Sequence, residues 1–352
     1  MNCLLKNLNH KRNIALRLLI LRTKIFLYKA LKSKSSINFT SNNKVVIYLG
    51  KGIGDCIILS GLIKGLRSSG YHVSVITEKK CAFIFDELID VDHVILKENK
   101  LQLKGYDIFI DPYDQAHKIP AKMRLILKSE FSLTIGFNTY IYDKNIAYNE
   151  YKEHFCSRFK YIIDILNCSN ADTATYLNTH KKTQKQIDEW FNKSLCNKEL
   201  VIICPFTSNP VRNFSVTQCA ELLNHFQNKP KYQVVILGSH EQLARLPSEL
   251  RTKFIIDPQG SFYSAVELIK KASLVISADT VFVHISKIFN KKLIAVYNNR
   301  IIDGAFENNY VFSPNYEYAR IVYTSDRLHS ADGDFVANLD TTRILDEVKN
   351  VL

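Results

Sequence analysis

The sequence lacks several features that would each define a class of protein. None of its eight cysteines forms a C-x-x-C pair, so neither a zinc ribbon nor a disulfide-stapled scaffold is indicated, and the cysteines are expected to be small buried apolar residues in a reducing compartment. No short internal repeat or low-complexity tract is present. Because 46% of the 352 residues are hydrophobic, the chain has enough apolar residues for two domain cores, and a disordered protein is excluded.

Acidic residues are missing from the first 54 positions, where the chain is strongly basic. Nine Lys and Arg lie between Lys6 and Lys34, and the first acidic residue is Asp55, so most of the net charge of +13 comes from an arm over residues 1–40. Leu, Ile and Phe are interspersed with these cations, as in an amphipathic helix lying on an anionic membrane surface. The apolar stretches of the arm are too short and too interrupted to span a bilayer.

Three other interpretations of the arm are considered. A signal peptide is rejected because Arg17, Arg22 and Lys24 interrupt the apolar region. Nucleic acid is not expected as a partner, since no RRM, KH or similar motif follows. A basic helix that packs on the domain with a solvated face stays open beside the favoured membrane surface.

Alternating strand and helix patterns after the arm predict an α/β fold with parallel sheets covered on both faces. In the first half, strands are predicted at 44–50, 72–77, 92–96, 106–112 and 133–137, and helices at 56–67, 81–89 and 154–167. After a polar stretch at 168–186, strands are predicted at 199–206, 232–239, 254–258, 274–279 and 292–298, and helices at 215–227, 261–272, 280–289 and 341–352.

This repetition predicts two Rossmann-like domains that face each other across a cleft. We expect an acceptor-side domain over residues 41–180, a second domain over 181–335 and a carboxyl-terminal helix over 336–352.

The segment "GKGIGD" at residues 50–55 predicts a tight turn between a strand and a helix. It fits neither a P-loop, because Lys51 follows only one glycine, nor G-x-G-x-x-G, because Asp55 replaces the third glycine. Gly52 and Gly54 permit a close approach of the backbone to a ligand or a facing domain. Asp55 is expected at the start of the helix, either as a functional carboxylate at the edge of the sheet or as a helix cap.

A second candidate segment, "CPFTSNPVRNFS" at residues 204–215, follows a predicted strand. Thr207 and Ser208 offer hydroxyl donors, and the Arg212 guanidinium suits phosphate oxygens. Alone, the segment is also compatible with an ordinary turn before a helix.

A third candidate segment is "ISADTVFVHIS" at residues 276–286. Asp279 and Thr280 are predicted to end a strand and open a helix whose free N–H groups would hold an anion. His284 lies about one turn later, where a packing role is the commoner one.

In this order, the segments resemble the bacterial heptosyltransferases of glycosyltransferase family 9, which build the inner core of lipopolysaccharide and have the two-domain GT-B fold. The resemblance extends from about residue 44 to the carboxyl terminus. The matching pieces are Gly54-Asp55, the segment from Thr207 to Arg212, "LGSHEQLAR" with Glu241, the approach "GSFYSAVELIKKASLVISADT", and D-T-x-x-x-H from Asp279 to His284.

The resemblance implies an inverting glycosyltransferase in which Asp55 is the general base and Arg212 assists departure of the nucleoside diphosphate. Thr207, Ser208 and Arg212 resemble the pyrophosphate clamp, and Glu241 resembles the residue that reaches the ribose of the donor. The helix opened by Asp279, Thr280 and Val281, with His284 in its motif, resembles the backbone part of the donor site.

The sequence also departs from the family pattern. Arg212 stands where Lys is common, and Val281 replaces the glycine of D-T-G. Gly61 replaces a common proline, Phe214-Ser215 replaces Trp-Pro, and Asn298 replaces a glycine after "AVY". A divergent member is therefore expected, with the donor sugar less defined than the fold.

The resemblance implies ADP-heptose as donor, a lipid-linked core oligosaccharide as acceptor, and a peripheral location on the cytoplasmic face of the inner membrane. The alternatives are a UDP- or GDP-sugar donor for outer core or capsule, and a nucleotide-sugar-binding module without activity. No cofactor or metal is expected, although Asp90-Val91-Asp92 and Asp332-Gly333-Asp334 match D-x-D, because neither joins a cluster of metal ligands.

Overall fold

The computed structural model describes residues 2–31, 42–50, 52–99, 101–113, 118–129, 131–148, 153–195, 198–257, 259–299, 301–302, 306–325 and 333–352. The chain forms two compact units. Unit 1 comprises Met1–Tyr148 and Cys156–Ala174, and unit 2 comprises Asn149–Phe155 and Thr175–Leu352. The domain limits predicted after residues 40, 180 and 335 stay predictions.

Unit 1 contains a six-stranded parallel sheet in the order β3-β2-β1-β4-β5-β6. Its strands are β1 (Lys44–Tyr48), β2 (His72–Thr77), β3 (Val94–Leu96), β4 (Ile108–Ile110), β5 (Leu133–Phe137) and β6 (Lys144–Ile146). Its α-helices are α1 (Asn2–Leu31), α2 (Ile53–Ser68), α3 (Ile84–Glu87), α4 (Ile119–Lys128) and α5 (Ser157–Ile165), with a 3₁₀ turn at Lys79–Cys81.

Unit 2 contains a second six-stranded parallel sheet, in the order β14-β11-β10-β7-β8-β9, and a two-stranded antiparallel ribbon of β12 and β13. The strands are β7 (Glu199–Cys204), β8 (Tyr232–Ile236), β9 (Ile255–Ile256), β10 (Leu274–Ala278), β11 (Lys292–Tyr297), β12 (Ile301–Ile302), β13 (Phe306–Glu307) and β14 (Ala319–Tyr323). The α-helices are α6 (Lys181–Leu195), α7 (Val216–Gln227), α8 (His240–Leu243), α9 (Ser248–Arg251), α10 (Phe262–Lys271), α11 (Val281–Ile288), α12 (Asn308–Val311) and α13 (Thr341–Val351), with 3₁₀ turns at Pro210–Arg212 and Val336–Asn338.

Alternation along β7 shows how the sheet of unit 2 is covered on both faces. Val201 and Ile203 join a core layer with residues of α7 and α13, whereas Leu200 and Ile202 join a layer with residues of α6, α10 and α11. Both faces of the strand are thus apolar, as expected for a parallel sheet between two helical layers. The predicted fold class, α/β with two Rossmann-like parallel sheets, is confirmed.

Nine elements were not predicted from the sequence: α4, β6, α6, α8, α9, β12, β13, α12 and β14. Helix α6 falls within a segment whose many polar residues suggest a linker. Its apolar residues nevertheless recur at helical spacing, since Ile187 is fully buried and Trp190 and Phe191 pack against the same core layer. Strand β14 completes the second sheet beside β11.

Helix α1 packs against the rest of unit 1, where Ile25 lies in a core cluster with Met123 and Ile126 of α4. Within the part of the chain that the structure describes, no helix has both the length and the apolarity needed to cross a membrane.

Candidate functional site

Each parallel sheet has one point at which the chain changes the side on which it adds strands. In unit 1, β2 and β3 lie on one side of β1, and the chain then continues with β4 on the other side. In unit 2, β8 and β9 lie on one side of β7, and the chain continues with β10 on the other. Ligands of doubly wound sheets bind outside the carboxyl ends of the strands at such switch points. The residues after β1 and β4, and those after β7 and β10, are therefore the candidate sites of the two units.

Asp55 lies in the first turn of α2, at the switch point of unit 1. Gly52 caps this helix, and its backbone N–H donates to Asp55 Oδ2 at 2.8 Å. Gly50 leaves space for the carboxylate, because a Cβ at this position would lie far inside van der Waals contact of Oδ2. Gly54 is the second residue of α2, and Lys51 lies outside the described residues. Asp55 thus caps its helix while it stands at the carboxyl edge of the sheet.

Tyr113, the third residue after β4, lies beside Asp55 on the other side of this switch point. It is 7% exposed, its backbone N–H donates to Asp111 Oδ1 at 3.1 Å, and its carbonyl accepts from Lys122 Nζ at 3.1 Å. Asp111 in turn forms a buried ion pair with Lys122 and accepts a hydrogen bond from the Tyr142 hydroxyl. Burial raises the pKa of Tyr113 well above its ordinary value, and the Asp55 carboxylate raises it further. A protonated hydroxyl is therefore held next to the carboxylate.

Lys97, the residue after β3, reaches the glycine turn that follows β1. Its Nζ donates to the carbonyl of Leu49 at 2.6 Å and to that of Gly50 at 3.3 Å, and it lies 4.4 Å from the centroid of the Tyr48 ring. Burial, and to a smaller extent the charge of Lys118, lowers the pKa of Lys97 to about 8. The ammonium group ties the end of β3 to the turn, and its protonation changes near neutral pH.

Arg212 and Asp279 meet at the switch point of unit 2. Arg212 ends the 3₁₀ turn after β7, Asp279 directly follows β10, and Arg212 Nη1 donates to Asp279 Oδ2 at 2.7 Å. Asp279 is 8% exposed. Arg212 Nε is buried and has no hydrogen-bond partner among the residues described. The guanidinium therefore retains donor capacity that would suit an anionic ligand.

Thr207 shapes the loop between β7 and this 3₁₀ turn. Its backbone N–H donates to Asn213 Oδ1 at 2.7 Å, and its hydroxyl donates to the carbonyl of Asn209 at 2.6 Å. The Asn209 side chain caps the turn by accepting from the Val211 N–H at 3.2 Å. Ser208 is exposed. The Thr207 hydroxyl is thus engaged within the loop, whereas the Ser208 hydroxyl faces solvent.

Helix α11 begins directly after Asp279, with Thr280 as its cap. The Thr280 hydroxyl accepts from the Phe282 N–H at 3.2 Å, so one of the N–H groups predicted to be free is used by the cap. Val281 is half-buried and packs against the core layer of α6 and α10.

His284 lies within α11, and its surroundings keep the imidazole neutral. Burial, and to a smaller extent the nearby His154 and Lys287, lowers the pKa of His284 to about 3. His154 itself contacts the carbonyl of Ser313 through Nε2 at 2.9 Å.

Glu241 lies in α8, just after β8, and its side chain is 85% exposed. It forms an ion pair with Arg245 at 3.2 Å, one helical turn away. Because β8 adjoins β7, Glu241 shares the carboxyl edge of the sheet with the loop of Thr207.

The described residues of the two D-x-D matches make contacts of their own. Asp92 accepts a hydrogen bond from Arg67 at 2.9 Å in the loop before β3. Asp334 is bonded to Asn299, and Asp332 lies outside the described residues. Among the residues that the structure describes, no group of three or more His, Cys, Asp or Glu could hold a metal ion.

The sequence reasoning missed Lys97 and Tyr113 as neighbours of Asp55. A signal was available, because both follow predicted strands, and the carboxyl ends of parallel strands meet at one edge of a sheet. Asn298, noted only as a departure from the family pattern, follows β11. It is 6% exposed, and its Nδ2 has no partner among the described residues.

Comparison with known proteins shows the family and the fold. The model of glycosyltransferase family 9 (heptosyltransferase) matches residues 100–302, more than half of the chain; Asp55 lies before this span. A curated protein of Escherichia coli (strain K12), named "Putative lipopolysaccharide heptosyltransferase 4", is 25% identical over 293 residues, covering 77% of this chain and 78% of the relative.

Several solved structures share the fold. A family 9 glycosyl transferase from Veillonella parvula has a TM-score of 0.69 at 13% identity, covering 90% of this chain and 99% of that chain. The E. coli ADP-heptose lps heptosyltransferase II has a TM-score of 0.62 at 15% identity, covering 88% and 98%. The E. coli heptosyltransferase WaaC with ADP-2-deoxy-2-fluoro heptose has a TM-score of 0.62 at 14% identity, covering 88% and 100%.

Proposed function

The chain belongs to glycosyltransferase family 9, the heptosyltransferase family, and we propose that it transfers a sugar, with inversion, from a nucleotide-sugar donor to a lipopolysaccharide or lipooligosaccharide core acceptor. The resemblance inferred from the motifs is thereby confirmed at the level of the family. The observation that carries the proposal is that each sheet has a functional group at its own switch point. These groups are the Asp55 carboxylate in unit 1 and the Arg212–Asp279 pair in unit 2.

Asp55 is the general base in this proposal. Its carboxylate takes the proton of the acceptor hydroxyl while the hydroxyl oxygen bonds to the anomeric carbon from the face opposite the diphosphate. A positioned base contributes about 10²–10⁴-fold to the rate. Support comes from the fixed geometry of the carboxylate, which the Gly52 N–H and the space at Gly50 hold in one place.

Arg212 stabilises the leaving group. As the bond from the anomeric carbon to the diphosphate breaks, its electron pair passes to a phosphate oxygen, and a nearby cation stabilises that charge. The unused donor capacity of the guanidinium supports this role. We further propose that Ser208 and the amino end of α11, with Thr280 as its cap, contact the phosphates, and that Thr207 and Asp279 hold the loop and the guanidinium in place.

The proposed donor is ADP-heptose, with Glu241 binding the ribose. Two relatives support it by their names: the E. coli heptosyltransferase II is an ADP-heptose enzyme, and WaaC is solved with an ADP-heptose analogue. The exposed carboxylate of Glu241 at the carboxyl edge of the sheet suits a pair of ribose hydroxyls. Competition among ADP, UDP and GDP for the free enzyme distinguishes this donor from a UDP- or GDP-sugar, and tighter binding of UDP or GDP would overturn it.

A second candidate function is nucleotide-sugar binding without transfer. It is favoured by Val281, whose side chain occupies the first position of α11, and by the Thr280 cap, which uses one backbone N–H. Calorimetric binding of ADP-heptose without any turnover would support this function. Gain of turnover in Val281→Gly would identify Val281 as the cause.

We propose that the reaction needs no metal ion and no resident cofactor, since a cationic side chain and backbone donors replace the metal at the diphosphate. Full activity in EDTA is the expected result. Loss of activity in EDTA and its recovery with a divalent cation would refute this point.

Because the proposed acceptor is lipid-linked, the proposed location is peripheral, on the cytoplasmic face of the inner membrane, with an anionic membrane surface and no nucleic acid as partner. The basic arm supports the membrane partner through its excess of Lys and Arg.

The decisive experiment measures sugar transfer from ADP-heptose to a purified core acceptor. Asp55→Asn removes the base while keeping the side-chain size, and we expect turnover to fall by about 10²–10⁴-fold. Asp164→Asn is the matched control, because Asp164 is an exposed carboxylate on α5 of the same unit. Normal turnover by Asp55→Asn would refute the assignment of the base.

A further inference from the structure

Helix α1 has two apolar faces, and the rest of unit 1 covers only one of them. Ile25 is 2% exposed and lies in a core cluster with residues of α4 and β4. Leu21 and Tyr28, about one turn to either side, pack against the same cluster. Residues three and four apart share a face of a helix, so this inner face is a built contact with unit 1.

Two cations of the arm belong to the inner face. Lys29 Nζ donates to the carbonyls of Tyr140 and Tyr142 at 2.8 and 2.6 Å, and Arg22 Nε donates to the Tyr140 hydroxyl at 3.1 Å. These side chains fasten the helix to unit 1. Part of the positive charge of the arm therefore holds the helix against the rest of unit 1, and only part of it is directed outward.

The opposite face of α1 is apolar and exposed. At about 100° per residue, the following side chains fall on the side of the helix away from Ile25. They are Leu16, Leu19, Ile20, Phe26, Leu27 and Leu31. Phe26 is 71% and Leu31 84% exposed. Single exposed apolar side chains are ordinary, but six of them on one side of a helix, along about four turns, mark an interaction surface.

We propose that this outer face of α1 docks on an anionic lipid surface, with its apolar row at the boundary of headgroups and acyl chains while the inner face carries unit 1. The helix would then lie in the plane of the surface, as interfacial helices do. The proposal deepens the proposed function, on which it rests for the identity of the membrane.

Charge decides between a lipid surface and a second copy of the chain. Arg12 and Lys24 are exposed beside the apolar row, and no acidic residue precedes Asp55. Two such helices placed face to face would bring like charges together without a carboxylate in either arm. Anionic headgroups supply the opposite charge, and each Lys or Arg near them adds to the affinity.

Flotation with vesicles of phosphatidylcholine alone, or with added phosphatidylglycerol, tests the proposal on the full chain. We expect the wild type to bind the anionic vesicles, and the double variant Phe26→Ser/Leu27→Ser to bind at least about tenfold more weakly. The matched control is Val216→Ser/Tyr318→Ser, which removes two exposed apolar side chains from unit 2 and should bind as the wild type does. Thermal unfolding verifies that each variant is folded.

Two results would overturn the proposal. One is equal binding of anionic vesicles by the wild type and Phe26→Ser/Leu27→Ser, including no binding by either. The other is a wild-type dimer in sedimentation that Phe26→Ser/Leu27→Ser converts to a monomer, which would make a second copy the occupant.

Failure of this proposal is separable from failure of the proposed function. With a water-soluble, de-acylated acceptor, Phe26→Ser/Leu27→Ser should turn over as the wild type does, and with a vesicle-embedded acceptor it should be slower. Vesicle binding without transfer to either acceptor would refute the proposed function alone.

Discussion

The two switch points hold their functional side chains by different means. In unit 1, the backbone holds Asp55, through the Gly52 N–H and the space left by Gly50. In unit 2, a side chain holds Arg212, through an ion pair to Asp279 that depends on residues 67 positions apart. A few consecutive residues are enough to position the Asp55 carboxylate. The Arg212 guanidinium is positioned only when β7 and β10 are paired in register.

The two sites should therefore differ in which substitutions they tolerate. Local backbone contacts at Asp55 tolerate no added side chain, because the space is filled by the carboxylate itself. The ion pair at Arg212 can be exchanged for another pair of similar size without a change of backbone. We therefore expect turnover to be sensitive to replacement of glycine at the unit 1 site and to removal of charge at the unit 2 site.

After Asp55→Asn, the largest effect is expected for Arg212→Met. Loss of the cation should lower kcat by about 10²–10³-fold, because the leaving diphosphate loses a preorganised donor. It also leaves the Asp279 carboxylate, 8% exposed, without its cation, which should lower the free energy of unfolding by about 1–3 kcal/mol. Steady-state kinetics and denaturant unfolding measure the two effects.

A second variant separates stability from activity at this pair. Arg212→Met/Asp279→Leu removes both charges and should recover most of the free energy of unfolding while activity stays low. Lys231→Met, which breaks an exposed ion pair with Glu199 in the same unit, is the control and should change neither. Recovery of activity in the double variant would contradict the role of Arg212.

A smaller effect is expected for Gly50→Ala, which tests the backbone-held site. The new Cβ displaces the Asp55 carboxylate, and a shift of about 1 Å in a reacting group costs about 10²-fold in turnover. Gly105→Ala is the control: Gly105 has a φ of 89° and open space around its Cα. Its replacement should lower stability by backbone strain and leave turnover unchanged. Normal turnover in Gly50→Ala would show that the position of Asp55 is not critical.

Local pattern and tertiary register explain what the sequence could predict. The glycine turn, the start of a helix near Asp55 and the strand before Thr207 depend on consecutive residues, and they were predicted. The cap itself is Gly52, and Asp55 lies in the first turn of the helix rather than at the cap position. The contacts of Lys97 and the placement of Tyr113 depend on the strand order β3-β2-β1-β4, which local pattern does not contain. Helix α6 was missed because polarity outweighed a narrow apolar stripe in the interpretation.

A pH effect of intermediate size is expected from Lys97, whose pKa is lowered to about 8. Its ammonium is faced by Lys118, Glu78, Cys56 and Asp55. Below pH 8 the charged group holds the glycine turn, and above it the hold weakens, so wild-type kcat should fall by about three- to tenfold with a midpoint near pH 8. Lys97→Met should have a lower kcat than the wild type at pH 7 and should lack the decrease in kcat near pH 8. Lys97→Arg should keep its kcat to higher pH.

The same group predicts the sign of a stability change. Because the native pKa of Lys97 lies below its ordinary 10.5, the unfolded chain binds more protons between about pH 8 and 10.5. The free energy of unfolding contributed by Lys97 therefore rises with pH across this window. Denaturant unfolding of the wild type and Lys97→Met at several pH values measures it, and identical slopes would contradict the burial of the ammonium.

The smallest effect on catalysis is expected for His284→Gln. With a pKa lowered to about 3 by burial, by His154 and by Lys287, the imidazole stays neutral between pH 5 and 8 and cannot serve as the acid or base of a limb there. The shape of the kcat/KM profile should therefore be unchanged, with an amplitude within about threefold of wild type.

The stability of the protein should respond instead. Between about pH 6.5 and 3 the unfolded histidine binds a proton that the native one does not, so the free energy of unfolding of the wild type decreases as the pH is lowered through that window. His284→Gln should lose this part of the decrease, whereas the control His93→Gln, at an exposed position before β3, should retain it. A limb between pH 5 and 8 that is present in the wild type and absent in His284→Gln would instead place this histidine among the catalytic groups of unit 2.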